Sequence, residues 1–91
     1  MTRTEIFDVI KKHMFAIIED LDETVQIEEA DSMRDLGADS IDVAEIVTDS
    51  LQELRLKVDR TSLKQVTNLA ELLDVLEKAA QQTATNAAVT A

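Results

Sequence analysis

The residues best suited to chemistry lie in one stretch near the middle of the chain, Leu36-Gly37-Ala38-Asp39-Ser40-Ile41-Asp42. Gly37 is the only glycine and there is no proline, so this is the strongest backbone turn signal in the sequence. Ser40 follows three residues later, at the predicted start of a helix. A hydroxyl there lies near unpaired backbone N–H groups and the positive end of the helix dipole, where a phosphate is readily attached or held.

The elements that position Ser40 are predicted to be helices. Ninety-one residues allow one small domain, and a hydrophobic content of 45% is enough for a core. Aromatic residues are only 2%, and the shortage of glycine, proline and β-branched runs argues against strands. We therefore predict an all-α protein, a small four-helix bundle of three main helices and one short helix.

The spacing of the apolar residues predicts where the helices and loops lie along the chain. The prediction is a first helix over 4–21, a long polar loop over 22–39, a second helix over 40–54, a short helix over 61–66 and a last helix from 69 to about 80. In the long loop we expect four apolar residues to anchor it on the core, namely Val25, Ile27, Met33 and Leu36. Asn68 is the expected N-cap of the last helix, with Glu71 at capping-box spacing. Residues 81–91 are predicted to be a disordered tail, which leaves 1–80 as the domain.

The charge narrows the classes of partner. Nineteen acidic against nine basic residues give a formal net charge of −10, which argues against nucleic-acid binding and favours partners with basic surfaces. Without cysteine there is no disulfide framework and no cysteine metal site. No apolar run reaches membrane-spanning length and no signal peptide is evident, so a cytoplasmic protein is expected. The absence of a heptad pattern predicts a monomer.

The second predicted helix separates an apolar face from an acidic one. Val43, Val47 and Leu54 share the first. The opposite side carries an acidic stripe with small apolar residues along its border, and the residues predicted to dock partners are Asp39, Ile41, Asp42, Ala44, Glu45, Thr48 and Asp49. Repulsion within the stripe, which also includes Glu53, costs helix stability. A shallow, basic partner surface is the complement of such a face.

Other interpretations of these residues stay open at this point. Asp39 or Ser40 as an ordinary N-cap, worth about 1 kcal/mol, fits an acidic helical interaction module with a solvated face. A serine enzyme would need His13, the only histidine, as its base, and the Gly-x-Ser-x-Gly turn is absent. A calcium-binding loop beginning at Asp31 would place Met33 at a ligand position.

The central stretch resembles the Gly-x-Asp-Ser-(Leu/Ile) motif of the acyl carrier protein family. The resemblance covers about residues 3–80, because the motif's position, the helix layout and the acidic charge all agree. It implies a non-catalytic carrier with 4′-phosphopantetheine, taken from coenzyme A, on Ser40, and partner docking along the second helix. It also implies a phosphopantetheinyl transferase as a partner, whose own site holds the magnesium, and no metal in this chain.

Within that family, the residues after Ser40 resemble discrete carriers of polyketide pathways, in particular those of β-branching cassettes that supply acetyl units to an HMG-CoA-synthase-like enzyme. Acyltransferase, ketosynthase or HMG-synthase-like partners are implied. Ser50 departs from the fatty-acid type because it falls on the core side, where we expect its hydroxyl to bond a backbone carbonyl. A carrier of fatty acid synthesis and a carrier of aminoacyl or peptidyl units are the alternatives.

Overall fold

The computed structural model describes residues 1–90, apart from the side chains of residues 60 and 83–90. This part of the chain forms four helices and no strand: α1 (Arg3–Ile17), α2 (Ser40–Leu54), α3 (Arg60–Lys64) and α4 (Leu69–Thr90). Helix α1 contacts both α2 and α4, while α3 contacts α4. The predicted all-α, four-helix bundle with a long first loop is confirmed. That loop, residues 18–39, is called loop 1 below.

A single aliphatic core joins the helices. Each main helix contributes residues three or four positions apart, and the helical apolar residues with 3% exposure or less are Ile6, Ile10, Met14, Ile46, Leu69, Leu72, Leu73 and Leu76. Burying one such side chain stabilises the folded chain by roughly 1.5–3 kcal/mol relative to leaving it exposed. The apolar residues that recur at the helical period therefore form the stabilising core, as the sequence predicts.

Helix α1 ends four residues before the predicted Leu21. Ile18 has extended backbone angles, φ −80° and ψ 106°, and Leu21 is reached through a turn. Both side chains are nevertheless buried, at 2% and 8% exposure. Their spacing is that of the buried side of a helix, and the sequence therefore predicted a longer one. Glu19 and Asp20 follow the helix end, where the negative end of the dipole disfavours acidic residues. The short helix α3 also lies slightly earlier than predicted.

Three of the four predicted anchors of loop 1 contact the core. Ile27 and Met33 are each 7% exposed and Leu36 is half-buried, whereas Val25 is 40% exposed, and its prediction as an anchor is wrong. The backbone N–H of Val25 donates to the Asp22 carbonyl at 2.9 Å, in a turn that holds it at the surface. The loop thus contacts the core at its start, near its middle and again just before Ser40.

Backbone hydrogen bonds fasten loop 1 to the start of α4. The N–H groups of Leu69 and Ala70 donate to the carbonyls of Asp31 and Glu29, at 2.9 and 2.8 Å. The first N–H groups of a helix have no partner within the helix, so these bonds satisfy two donors that would otherwise need water or a cap. The first turn of α4 is therefore also a docking site for the loop.

Arg3 connects three elements through its guanidinium group. It donates to Glu29 in loop 1 at 2.7 Å, to Asp74 in α4 at 2.8 Å and to Glu77 one turn further on. Another bond, of 3.2 Å, goes to the Ala70 carbonyl. These carboxylates, Glu29 foremost, raise the pKa of Arg3, and the Arg3 hydrogen bond lowers the pKa of Glu29. The sequence analysis did not identify this cluster.

The start of α4 confirms half of the predicted capping box. The Asn68 side-chain oxygen accepts from the Glu71 N–H at 2.9 Å, while the Glu71 carboxylate accepts from the Thr67 hydroxyl at 2.5 Å. The helix then continues beyond the predicted end at Ala80 to Thr90. Because side chains 83–90 and the whole of residue 91 lie outside the described residues, the division into a domain over 1–80 and a disordered tail over 81–91 stays a prediction.

Ser50 differs from what the sequence predicts. The side chain lies on the buried side of α2 as expected, 1% exposed, but its hydroxyl has no hydrogen-bond partner among the described residues. The carbonyls of an α-helix interior already accept from the helix N–H groups. A further bond from a serine hydroxyl to one of them is therefore optional, and Ser50 does not form it. A polar atom is consequently left unsatisfied inside an aliphatic core, which costs stability.

We expect Glu29→Gln to lower the midpoint of thermal unfolding at pH 7 and to have little effect in acid. The folded-state pKa of Glu29 is lowered, so its contribution is present above its unfolded pKa of about 4.3 and disappears as pH falls through the folded value. Thermal unfolding from pH 7 to pH 3 measures the difference. Glu28→Gln is the control, and an effect of Glu29→Gln that is independent of pH would contradict the ion pair.

We expect Ser50→Ala to stabilise the protein. Both Ser50→Ala and the control Ser62→Ala, at an exposed position in α3, gain helix propensity, but only the first removes a buried unsatisfied hydroxyl. Urea unfolding should show a free energy of unfolding higher by about 1 kcal/mol for Ser50→Ala than for Ser62→Ala. Equal effects would mean that the Ser50 hydroxyl finds a partner in solution.

Candidate functional site

A tight turn immediately precedes α2. The Gly37 N–H donates to the Arg34 carbonyl at 3.1 Å, and the Ala38 N–H donates to the Met33 carbonyl at 3.0 Å. Gly37 has a φ of +111°, a backbone conformation that residues other than glycine rarely adopt. The sequence analysis therefore identified the turn correctly, and its only glycine stands where the backbone requires one.

Helix α2 begins with a complete capping box. The Asp39 carboxylate accepts from the Asp42 N–H at 2.8 Å, and the Asp42 carboxylate accepts from the Asp39 N–H at 3.3 Å. Asp39 is thus the N-cap, and Ser40 is the first helical residue. The open question of which residue caps the helix is resolved in favour of Asp39, so the interpretation of Ser40 as a helix cap is wrong.

The Ser40 hydroxyl is exposed and lies beside one cation. Arg34 Nη2 donates to Ser40 Oγ at 3.0 Å. Both side chains are exposed, and Arg34 comes from the turn six residues earlier. A nucleophilic oxygen that is accessible to solvent and not used for capping can receive a group from another molecule. The sequence analysis did not anticipate Arg34, because its contact depends on the geometry of the turn.

The outer face of α2 extends from Ser40 along the helix. Ile41 is 73% exposed, an unusual degree for a large aliphatic residue, and Asp39, Ala44, Glu45 and Thr48 are also exposed. Asp42 and Asp49 are half-buried, and the opposite side of the helix buries Ile46 and Ser50. All seven residues that the sequence predicts for docking thus keep accessible surface around α2. We call them the outer face.

Glu53 does not belong to the free acidic stripe. Its carboxylate accepts from Lys12 at 2.5 Å and lies 3.0 Å from His13 Nε2, so α1 neutralises it. The hydrogen bond from Lys12, helped by His13, lowers the pKa of Glu53. The expectation that Glu53 adds to the repulsion within the acidic stripe is therefore wrong. Repulsion along α2 is correspondingly smaller than the sequence suggests.

The structure separates His13 from Ser40. His13 pairs with Glu53, which stands thirteen residues after Ser40, or about 20 Å along the helix axis. Ser40 and His13 therefore do not form a pair. In the part of the chain that the structure describes, no group of three metal-ligating side chains comes together, and the Asp31 carboxylate instead accepts from the Glu28 N–H at 2.9 Å. None of the described helices has both the length and the apolarity needed to cross a membrane.

Known proteins are similar in sequence to this chain over the region that contains the site. The family model described as the phosphopantetheine attachment site matches residues 15–76, which include loop 1, all of α2 and the start of α4. The polyketide biosynthesis acyl-carrier-protein AcpK of Bacillus subtilis is 40% identical over 76 residues, which is 84% of this chain and 92% of the relative. The acyl carrier protein of Thermotoga maritima is 35% identical over 80 residues, 85% of this chain and 94% of the relative.

A solved structure is similar over nearly the whole fold. A chain in the crystal structure of the curacin biosynthetic pathway HMG synthase in complex with an acetyl-donor acyl carrier protein aligns with a TM-score of 0.75 and 32% identity. The alignment covers 88% of this chain and 99% of that one. Family model, relatives and structure agree on one assignment: the chain belongs to the acyl carrier proteins, the carriers that bear a covalently attached 4′-phosphopantetheine.

Proposed function

We propose that Ser40 bears the 4′-phosphopantetheine and that the chain carries acyl units for polyketide biosynthesis. The observation that supports this most directly is the Ser40 hydroxyl, which is exposed at the first residue of α2 and released from capping by Asp39. Ser40 also falls within the range matched by the attachment-site family model. The chain itself is proposed to be non-catalytic, since His13 is held by Glu53 far along the helix.

The residues around Ser40 fit a long, flexible substituent. Ser40 and Ile41 both face solvent, so a group on the hydroxyl extends outward without displacing the core. When bound, the group supplies a thiol that holds an acyl unit as a thioester. The protein's own contribution is to fix one end of the group on the rigid start of α2, which keeps the acyl unit at a high effective concentration for a docked enzyme.

Two comparisons favour a polyketide pathway, and one of them favours a particular step. AcpK is named for polyketide biosynthesis, and the structural neighbour comes from a complex in which the carrier donates acetyl to an HMG synthase. This 91-residue protein covers 99% of the aligned chain, so the aligned chain is itself small. Its size is that of the carrier in the complex and not of the synthase. We propose an HMG-synthase-like enzyme as the acceptor of an acetyl unit from this chain, with an acyltransferase or ketosynthase as other partners.

The alternative is a role in fatty acid synthesis, for which the Thermotoga maritima acyl carrier protein is a relative. That role would require a long hydrocarbon chain to be accommodated.

The outer face is the proposed docking surface. Its acidic residues suit basic enzyme surfaces, and Ile41 offers an apolar contact beside the attachment point. A phosphopantetheinyl transferase, with magnesium in its own site, is proposed to recognise this face first. We propose that the carrier is monomeric and works in the cytoplasm, where that transferase and coenzyme A supply the group.

We expect one phosphopantetheine group to be added to the parent protein and none to Ser40→Ala. Intact-protein mass is measured after incubation with coenzyme A, magnesium and a broad-specificity phosphopantetheinyl transferase. Ser62→Ala, which removes another exposed hydroxyl, should gain the same mass as the parent. A mass gain on folded Ser40→Ala would contradict the assignment of the site.

We expect Glu45→Lys to slow acetyl transfer from the acetylated carrier to an HMG-synthase-like enzyme by roughly tenfold, about 1.4 kcal/mol. The exposed Glu45 lies on the outer face between Asp42 and Asp49, so a lysine there relieves repulsion and should preserve the helix. Glu5→Lys on α1 is the charge-matched control. Equal rates for the two variants would show that the outer face does not bind the enzyme.

A further inference from the structure

Arg34 is isolated among acidic residues. It is the only lysine or arginine between Lys12 and Arg55, and the same interval holds thirteen aspartates and glutamates. Its guanidinium group nonetheless makes its hydrogen bond to the neutral hydroxyl of Ser40 rather than to any of these carboxylates.

The turn before α2 determines where Arg34 stands. Met33 is buried and its carbonyl accepts from Ala38, while the Arg34 carbonyl itself accepts from Gly37. The backbone of Arg34 is thus held on both sides, by a core anchor and by the glycine with positive φ. A side chain that starts from a fixed backbone position loses less conformational freedom when it binds a ligand.

A phosphate on Ser40 would lie beside two carboxylates, whose repulsion opposes the attraction of the helix N-terminus. The carboxylates of Asp39 and Asp42 are held at the start of α2 by their capping hydrogen bonds, so they cannot turn away without loss of the cap. Among the described residues, Arg34 is the only cation that bonds Ser40. Guanidinium groups bind phosphate oxygens through charge-assisted hydrogen bonds and keep their charge at all physiological pH values.

We infer that Arg34 is the phosphate-binding residue of the attachment site, which donates to Ser40 Oγ before modification and to the phosphodiester oxygens afterwards. The inference rests on the proposed function. Attachment forms a bond between Ser40 Oγ and the phosphorus next to pantetheine in coenzyme A, and breaks the bond from that phosphorus to adenosine 3′,5′-bisphosphate. Because Arg34 is a donor only, the hydroxyl proton goes to a base of the transferase.

Attachment of the group changes the partner of Arg34 and the strength of its hydrogen bond. Before modification it contacts a neutral oxygen, and afterwards an anion, so its bond strengthens when the group is attached. The first bonds of the arm are then held against the turn, while the remainder stays free to move. Arg34 is accordingly a binding and positioning residue of the modified carrier and takes no part in proton transfer.

The test compares unmodified and modified protein, each with Arg34 or with Arg34→Gln. The Arg34 side-chain Nε–H resonance should shift when phosphopantetheine is attached. Modification should raise the unfolding midpoint of the parent by about 2–4 °C more than that of Arg34→Gln. This difference should vanish near 1 M salt, where screening acts over roughly 3 Å.

Two variants and the mass measurement complete the design. Arg34→Lys should retain part of the stabilisation, and Arg55→Gln, at the far end of α2, should behave like the parent. An unchanged Arg34 resonance, together with equal midpoint shifts in all variants, would overturn the inference. Absence of any mass gain in the parent would instead overturn the proposed function, so the two failures are distinguishable. Circular dichroism of each variant confirms that it remains folded.

Discussion

The reciprocal hydrogen bonds between Asp39 and Asp42 are the interaction on which the site depends. They determine the residue at which α2 begins, and hence that Ser40 is the first residue of the helix rather than its cap. Had the serine been the cap, its oxygen would have been occupied by a backbone N–H and less available for reaction. The same pair contributes two negative charges beside the site, which is why a nearby cation acquires importance.

Loop 1 needs more support than its apolar anchors supply. It is tied to α4 by backbone hydrogen bonds from Leu69 and Ala70, and to both α1 and α4 by Arg3. A segment of this length without regular structure would otherwise lose much conformational entropy for few contacts. Because the loop is fastened to α1 and α4, the turn around Gly37 is held at the start of α2, so the position of Ser40 depends on residues far away in sequence.

The predictable features are those that are encoded locally. Periodic apolar residues predicted the helices, and the bounds of α2 agree with the prediction because its cap and its spacing coincide. The end of α1 was not predictable from periodicity, since Ile18 is buried equally well in a turn. Arg3 acts on partners 26 to 74 residues away, and Arg34 reaches Ser40 only through a folded turn. A single sequence does not specify such pairings.

The outer face of α2 bears on how long an encounter lasts. Glu45 and Asp49 have no ion-pair partner in the described chain, in contrast to Glu53, which α1 has already neutralised. Charges at an interface rim speed diffusional approach far more than they prolong the bound state. A surface of this kind therefore brings short residence times together with rapid capture. For a molecule that must leave one enzyme to reach the next, departure is as necessary as recognition.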